Sequence, residues 1–352
     1  MKKIIVFLFV VFFKVLTVNG SYVILNQDND LVIEGSNIHE KRLIASITKV
    51  MTAYVVINNV SLDDLVTVGD EINEAHGSSI YLVKGEVLSV RDLLYGMMLR
   101  SGNDAAIVLS NYVGGSVSNF VDMMNQEVKN LKLKDTIFKN PTGLDDNQDG
   151  NISTAYDMAI ITNNAMKNNI FKKIFKTKHY KCKSNLKAFD WYNKNKALSM
   201  YKHVSGGKTG YTKKAYRTLI TTASKDNINL TIVTLNMGDD FNFHVNKYKK
   251  IFHEFNNYLI LNKTNLEIDD KYFKKKNCSF YILNNYYYLS KRENIKNLHI
   301  EYIINDNTKP INNAVVGSAV IYNNKKPIHE EVIYLSCKER YRFLWLQLFG
   351  LV

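Results

Sequence analysis

The chain has 352 residues, of which 46% are apolar and 22% charged, and carries a formal charge of +13. These values lie within the range of folded soluble proteins, so they speak against a disordered chain and a polytopic membrane protein, and the length allows two domains. Three prolines and 17 glycines leave little material for long linkers.

Residues 1–20, MKKIIVFLFVVFFKVLTVNG, open with two lysines, run through apolar residues from Ile4 to Phe13, and turn polar at Asn19 and Gly20. That order is the order of a secretory signal, and the apolar run is short for a bilayer span. An uncleaved N-terminal anchor is the alternative and keeps the same outside location. Lys14 interrupts the apolar stretch, and no A-x-A triplet marks a cut.

SYVILNQDNDLVIEGSN then reads as two short strands around a polar turn. LIASITKVMTAYVV, residues 43–56, has no period-2 alternation and is long enough for a helix buried on most sides. Helical patterns fill residues 87–132, followed by a loop at KNPTGLDDNQDGNIS and a helix through AYDMAIITNNAMKN. From residue 204, HVSGGKTGYT, RTLITTAS and INLTIVTLNM form β-rich runs separated by short polar breaks, the texture of an antiparallel meander. A helix near residues 244–258 precedes a Tyr-, Ile-, Val- and Asn-rich stretch, 259–335, that reads as a small all-β unit.

The closing residues 336–352 place Lys338, Arg340 and Arg342 before a run of Phe, Leu and Trp. Such a short run cannot span a membrane, but it can lie in the interface with its basic residues on the headgroups. A final element packed on the β unit is the alternative. The lysine-rich FKKIFKTKHYKCKSNLK comes with no nucleic-acid module, so nucleic acid is not an expected partner. For an exported chain, anionic wall polymers and lipid headgroups are the nearer counter-charges, and a solvated lysine face is the plain alternative. Cys182, Cys278 and Cys337 have no C-x-x-C spacing, which argues against a metal site. Cys278 and Cys337 either pair in an oxidising compartment or remain thiols.

Lys49 is the residue that a buried helix does not explain. Residues i and i+3 share a helical face, so Ser46 and Lys49 project side by side. A serine hydroxyl needs a base to become a nucleophile, and lysine is one only when its ammonium is destabilised, by burial and by a second cation. Ser46 also sits near the expected helix start, where free N–H groups and the dipole favour an oxyanion. S-x-x-K alone is weak, but MMLRSGNDAA adds Ser101 and Asn103, and SGGKTGYT adds Lys208, Thr209 and Gly210 at the head of a strand. Together they are the signature set of β-lactamases and penicillin-binding proteins.

The chain resembles the low-molecular-mass penicillin-binding proteins, the serine-type D-alanyl-D-alanine carboxypeptidases of the peptidase S11 family. HGSSIYLVKGE, DLLYGMMLRSGNDAA, FKNPTGLDD, STAYDMA and GGKTGYTKKA carry the resemblance beyond the three motifs. It implies an α+β fold, the penicillin-recognising serine transferase fold, with an antiparallel sheet flanked by helices over residues 21–258. The β domain of 259–335 and the apolar tail of 336–352 follow the family's plan. The family's chemistry needs no metal and no cofactor.

By that resemblance Ser46 attacks the carbonyl between the two terminal D-alanines of the peptidoglycan stem pentapeptide, Lys49 takes its proton, and β-lactams act as covalent inhibitors. Ser101 passes a proton to the leaving amine and Asn103 holds the substrate backbone. Lys208 and Thr209 meet the terminal carboxylate, Gly210 lets the peptide lie along the strand edge, and the N–H groups of Ser46 and Tyr211 form the oxyanion hole. Lys208 also serves as the second cation that keeps Lys49 neutral. The implied location is the outer face of the cytoplasmic membrane or the cell wall, with the C-terminal tail on the membrane surface.

Two departures stand out: relatives usually have a glycine where this chain has Tyr216, and often a histidine within the segment reading DGNIS. The first bears on the strand just past K-T-G, the second on the support of a loop. Asp145, Asn147, Asp149 and Gly150 follow the order of a calcium loop, but its twelfth position is Tyr156, so a polar turn is favoured. A β-lactamase on the same scaffold would need a deacylating glutamate in an E-x-x-L-N context, which the sequence lacks. A non-catalytic wall-binding relative would be expected to have lost one of the motif residues.

Overall fold

The computed structural model describes residues 20–145 and 150–337. The signal-like leader up to residue 19, Asn147 and Asp149 of the calcium-like loop, and the tail from residue 338 lie outside the described residues. The described chain falls into two compact units, one reaching Lys225 and resuming over Asn229–Lys249, the other comprising Asp226–Ile228 and the chain from Lys250.

The first unit is built on β1 (Ser21–Asn26), β2 (Val32–Ser36), β3 (Val204–Thr212), β4 (Tyr216–Lys225) and β5 (Ile228–Leu235), in the order β2-β1-β5-β4-β3. β1 and β5 are buried almost throughout, which is why SYVILN and INLTIVTL read as runs rather than alternations. They pair antiparallel with Val23 opposite Val233, and β3 pairs antiparallel with β4, Lys208 opposite Ile220. β3 closes the sheet, so the strand carrying Lys-Thr-Gly has a free edge for an extended chain.

Helices α1 (Lys49–Asn59), α2 (Val90–Arg100) and α3 (Asn103–Gly114) pack as the core of this unit. α1 has little amphipathic contrast because Val50, Met51, Ala53, Val55 and Val56 are all buried. They join Leu93, Leu94 and Met97 of α2 and Ala105, Ala106 and Leu109 of α3 in one cluster. Each such Leu or Val contributes about 1.5–3 kcal/mol. α4 (Val117–Asn130) and α5 (Ala155–Ala165) start at Ser116 and Thr154, whose hydroxyls accept from the backbone N–H of Asn119 and Asp157.

The lysine-rich segment becomes α6 (Asn169–Lys176), which buries Phe171, Ile174 and Phe175, and a hairpin of His179–Lys183 with Ala188–Tyr192. Lys172, Lys173 and Lys176 point to solvent, so the periodicity of the segment serves packing.

The helix expected near residues 244–258 runs over Asp240–Glu254 (α7). It stops earlier than the pattern suggests because Phe255–Leu261 leaves it as a strand paired antiparallel with Tyr286–Lys291. The second unit therefore takes up the chain ahead of the expected boundary after residue 258. Its four-stranded sheet runs in the order Cys278–Tyr281, Lys326–Cys337, Val315–Asn323, Leu298–Ile304. The last of these alternates half-buried and exposed residues, as an antiparallel strand with one solvated face should. Cys278 and Cys337 are cross-strand partners and form a disulfide. Cys182 remains a thiol, pushed up to about 12 by burial first and by Asp92 second.

Candidate active site

Ser46 lies in a 3-10 turn, Ala45–Thr48, that leads directly into α1. The tight turn brings side chains at i and i+3 over one another, and Ser46 Oγ lies 3.2 Å from Lys49 Nζ. Ala45 holds a left-handed φ of 50° just before the serine. Its carbonyl packs against Gly143, where an added Cβ would come within 1.9 Å of that oxygen. A left-handed alanine costs about 1–3 kcal/mol, and the surrounding loop holds it in place.

Lys49 is fully buried. Its Nζ donates to Asn103 Oδ1 at 2.6 Å and to the Thr142 carbonyl. Asn103 is oriented by its own Nδ2, which donates to the His76 carbonyl, so its oxygen faces the lysine. Burial pushes Lys49 well below the ordinary lysine range, and the charges of Lys208 and then Lys194 push the same way against a weaker pull from Asp104. A neutral amine has two N–H donors and one lone pair. Three oxygens surround Nζ, namely Asn103 Oδ1, the Thr142 carbonyl and Ser46 Oγ, and Ser46 Oγ itself lies 3.4 Å from the Thr142 carbonyl; once the amine is uncharged, its lone pair can take the Ser46 hydroxyl proton.

Ser101 closes α2 in a left-handed conformation, φ 66°, and this turn lets Asn103 open α3 beside Lys49. Across the cleft, Lys208 Nζ donates to Ser101 Oγ at 2.9 Å and to the Thr209 carbonyl at 2.7 Å. Its pKa is pushed down to about 7, by burial first and by Lys194 second. On β3, a Cβ on Gly210 would sit 2.3 Å from Thr218 Oγ1 and 3.0 Å from the Ser46 nitrogen, so only glycine lets the strand approach the serine. Thr209, Gly210 and Tyr211 line a cavity of about 350 Å³ together with Ser46 and Ser101.

The structure thus brings all eight sequence-derived residues to one cleft. It also supplies parts that motif reading missed. The Thr142 carbonyl is fixed by Asn140, whose Oδ1 accepts from the nitrogens of Thr142 and Gly143 at 3.1 and 2.7 Å. FKNPTGLDD was legible as a family segment, but nothing in it named a backbone oxygen as the lysine's partner. Exposed Lys194, 3.4 Å from Ser78 Oγ, adds positive charge near both buried lysines, and one lysine among many gave no signal. Asp104 accepts from Ser79 Oγ and the nitrogens of Ile80 and Leu82, which shapes the loop bearing Ser78.

The two departures are resolved locally. Tyr216 adopts φ 55°, the conformation a glycine holds without strain, yet the ladder from Tyr216–Thr212 to Lys208–Ile220 is unbroken. In DGNIS, buried Asn151 donates to Thr48 Oγ1 and the Asn140 carbonyl, and accepts from the nitrogens of Lys139 and Asn140. That side chain supplies the loop support. Asp145, the first position of the calcium-like order, accepts from Thr212 Oγ1 at 2.6 Å.

The comparisons with known proteins agree with this geometry. The family model for D-alanyl-D-alanine carboxypeptidases matches residues 16–239, and that for the C-terminal domain of penicillin-binding protein 5 matches residues 256–340. The D-alanyl-D-alanine carboxypeptidase DacF of Bacillus subtilis is 35% identical over 214 residues, covering 59% of this chain and 54% of that protein. DacC of Escherichia coli is 35% identical over 234 residues, covering 62% and 57%. The chain thus aligns with a little over half the length of these curated relatives. The crystal structure of penicillin binding protein 5 from Haemophilus influenzae superposes with a TM-score of 0.74 at 26% identity, covering 90% of this chain and 95% of that one. With its three motifs gathered in one cleft and the match spanning most of the first unit, the chain belongs to the D-alanyl-D-alanine carboxypeptidase family, peptidase S11.

Proposed function

We propose that this protein is an exported serine D,D-carboxypeptidase that removes the terminal D-alanine from peptidoglycan stem pentapeptides. One observation carries the reading: the fully buried Lys49 Nζ, held by Asn103 Oδ1 and the Thr142 carbonyl, lies 3.2 Å from Ser46 Oγ. Lys49 takes the hydroxyl proton as Ser46 Oγ attacks the penultimate D-alanine carbonyl, and the oxyanion forms against the nitrogens of Ser46 and Tyr211. Ser101, hydrogen-bonded to Lys208, returns a proton to the departing D-alanine amine. Water then cleaves the ester and frees Ser46. Asn103 keeps Lys49 in place and offers the substrate backbone its amide, while Lys208 and Thr209 form the end of the cleft that takes the terminal carboxylate.

β-Lactams, which present a strained amide and a carboxylate to the same groups, acylate Ser46. Cell-wall peptidoglycan is the proposed partner, and the basic, apolar tail is proposed to rest on a membrane surface. Among the described residues no helix is long and apolar enough to cross a membrane. The reading is tested by incubating the protein with a peptide ending in D-alanyl-D-alanine and quantifying free D-alanine. Release that disappears in Ser46→Ala supports it, and release that persists in that variant refutes the assigned nucleophile.

A further inference from the structure

A second cavity in the first unit, of about 380 Å³, shares no lining residue with the catalytic cleft. It lies beside the opening residues of β3, where Ser205 stands three residues before Lys208, so about 10 Å of strand separates the two.

Three cations line this cavity. Lys167 follows the end of α5, and Lys172 and Lys176 stand one turn apart on the exposed side of α6. None of the three ammoniums makes an ion pair or a hydrogen bond among the described residues. A solvated lysine face needs no cavity, yet these three meet at a concave wall whose other polar groups are acceptors. Ser205 Oγ donates its proton to Thr222 Oγ1 at 3.0 Å and Ser224 Oγ donates to Asn229 Oδ1 at 2.7 Å, so each hydroxyl has only lone pairs left to offer. Asp28 adds a carboxylate that accepts from Asn229 Nδ2 at 3.1 Å and pairs with none of the lysines. Asn163, lining the same cavity at 3% exposure, has both ends committed: Nδ2 donates to Asp30 Oδ1 and Oδ1 accepts from Thr231 Oγ1, each at 2.6 Å. That part of the wall is therefore fixed before any ligand arrives.

The cavity thus combines charged donors with preset acceptors. A bare anion would use only the lysines, and a plain sugar only the acceptors. A small molecule that carries an anionic group and hydroxyls on one short skeleton uses both sets. We propose that this cavity binds a phosphorylated polyol, its phosphate set against Lys167, Lys172 and Lys176 and its hydroxyls donating to Ser205 Oγ, Ser224 Oγ and Asp28. A free polyol phosphate and a repeat of a polyol phosphate polymer present the same groups. The site is independent of the carboxypeptidase chemistry and stands or falls without it.

Calorimetric titration of the protein with glycerol 3-phosphate, inorganic phosphate, glycerol and a short glycerol phosphate oligomer tests this, with a thermal melt to check the fold of each variant. The wild type should bind glycerol 3-phosphate saturably, and more tightly than inorganic phosphate or glycerol. Lys172→Gln combined with Lys176→Gln should weaken that binding about 3- to 20-fold, whereas Lys173→Gln combined with Lys178→Gln, an equal loss of charge outside the cavity, should leave it within about twofold. Ser224→Ala should cost about 2- to 10-fold on glycerol 3-phosphate and leave inorganic phosphate unchanged. D-Alanine release should be the same in every variant. Tighter binding of the oligomer would identify the polymer as the source and equal binding the free compound, and both results support the site. No saturable binding, inorganic phosphate bound as tightly as glycerol 3-phosphate, or an equal loss in the control pair of lysines would overturn the proposal.

Discussion

Lys49, Lys208, Asp104, Asp157, Asp240 and His244 are all buried in the first unit, while Ser290 is the one buried polar or charged side chain among the described residues of the second. Burying an ionisable group is costly unless its hydrogen bonds are met or it gives up its charge. The first unit does both around its cleft, where Lys49 and Lys208 are hydrogen-bonded and shifted toward neutrality. Among its described residues the second has no such group, and it is held by Phe273, Phe280, Ile321, Ile333 and Leu335, together with the Cys278–Cys337 bridge. Of the first unit's buried groups, the two lysines lie in the cleft, while Asp157 and His244 are held by threonine hydroxyls elsewhere in the unit. The β unit shows what the same chain looks like where only packing is at stake.

That contrast can be broken most sharply at Lys49. Lys49→Met keeps the length and apolar character of the side chain but removes the base, so acylation of Ser46 should fall about 10²–10⁴-fold with the fold retained. Stopped-flow labelling with a fluorescent penicillin would read this, and a loss below tenfold would show that another group takes the proton.

Lys208 sharpens the contrast through pH. Its folded pKa lies near 7 and its ordinary value is 10.5, so between those limits the unfolded chain holds a proton that the folded protein lacks. Unfolding free energy should therefore rise with pH across that window, because the penalty for burying the ammonium is fully present below about 7 and fades above it. Lys208→Met should flatten the rise in a urea titration series from pH 7 to 10. An unchanged slope would mean that Lys208 stays protonated inside the protein.

The disulfide gives the third contrast. Cys278→Ser with Cys337→Ser should destabilise the second unit by about 2–4 kcal/mol while Ser46 acylation stays at the wild-type rate. A matching fall in acylation would show that the cleft depends on the β unit. The smallest effect is expected at Tyr216, whose φ of 55° suits glycine. Tyr216→Gly should raise stability by about 1 kcal/mol, less the backbone entropy that glycine adds to the unfolded chain, as seen in thermal denaturation.

Much of this site is local and could be read from the chain. Ser46 and Lys49 meet because they are three residues apart in one turn, and the meander from residue 204 shows in three β-rich runs. What stayed hidden depends on partners distant in sequence. The Thr142 oxygen reaches Lys49 across 93 residues, and Arg217 joins the cleft through its register with Tyr211. The end of α7 also escaped, because Phe255–Leu261 becomes a strand only through Tyr286–Lys291. Tyr216 was noticed as a departure, but only the backbone shows that it occupies a glycine conformation.

The most direct measurement is time-resolved intact mass of the protein mixed with benzylpenicillin, followed by peptide mapping of the adduct. A stoichiometric, long-lived adduct on Ser46 that is absent from Ser46→Ala is the expected result. An adduct on another residue, or no adduct while the penicillin remains intact, would contradict the account, and an adduct that turns over as penicillin is consumed would make the protein a β-lactamase instead.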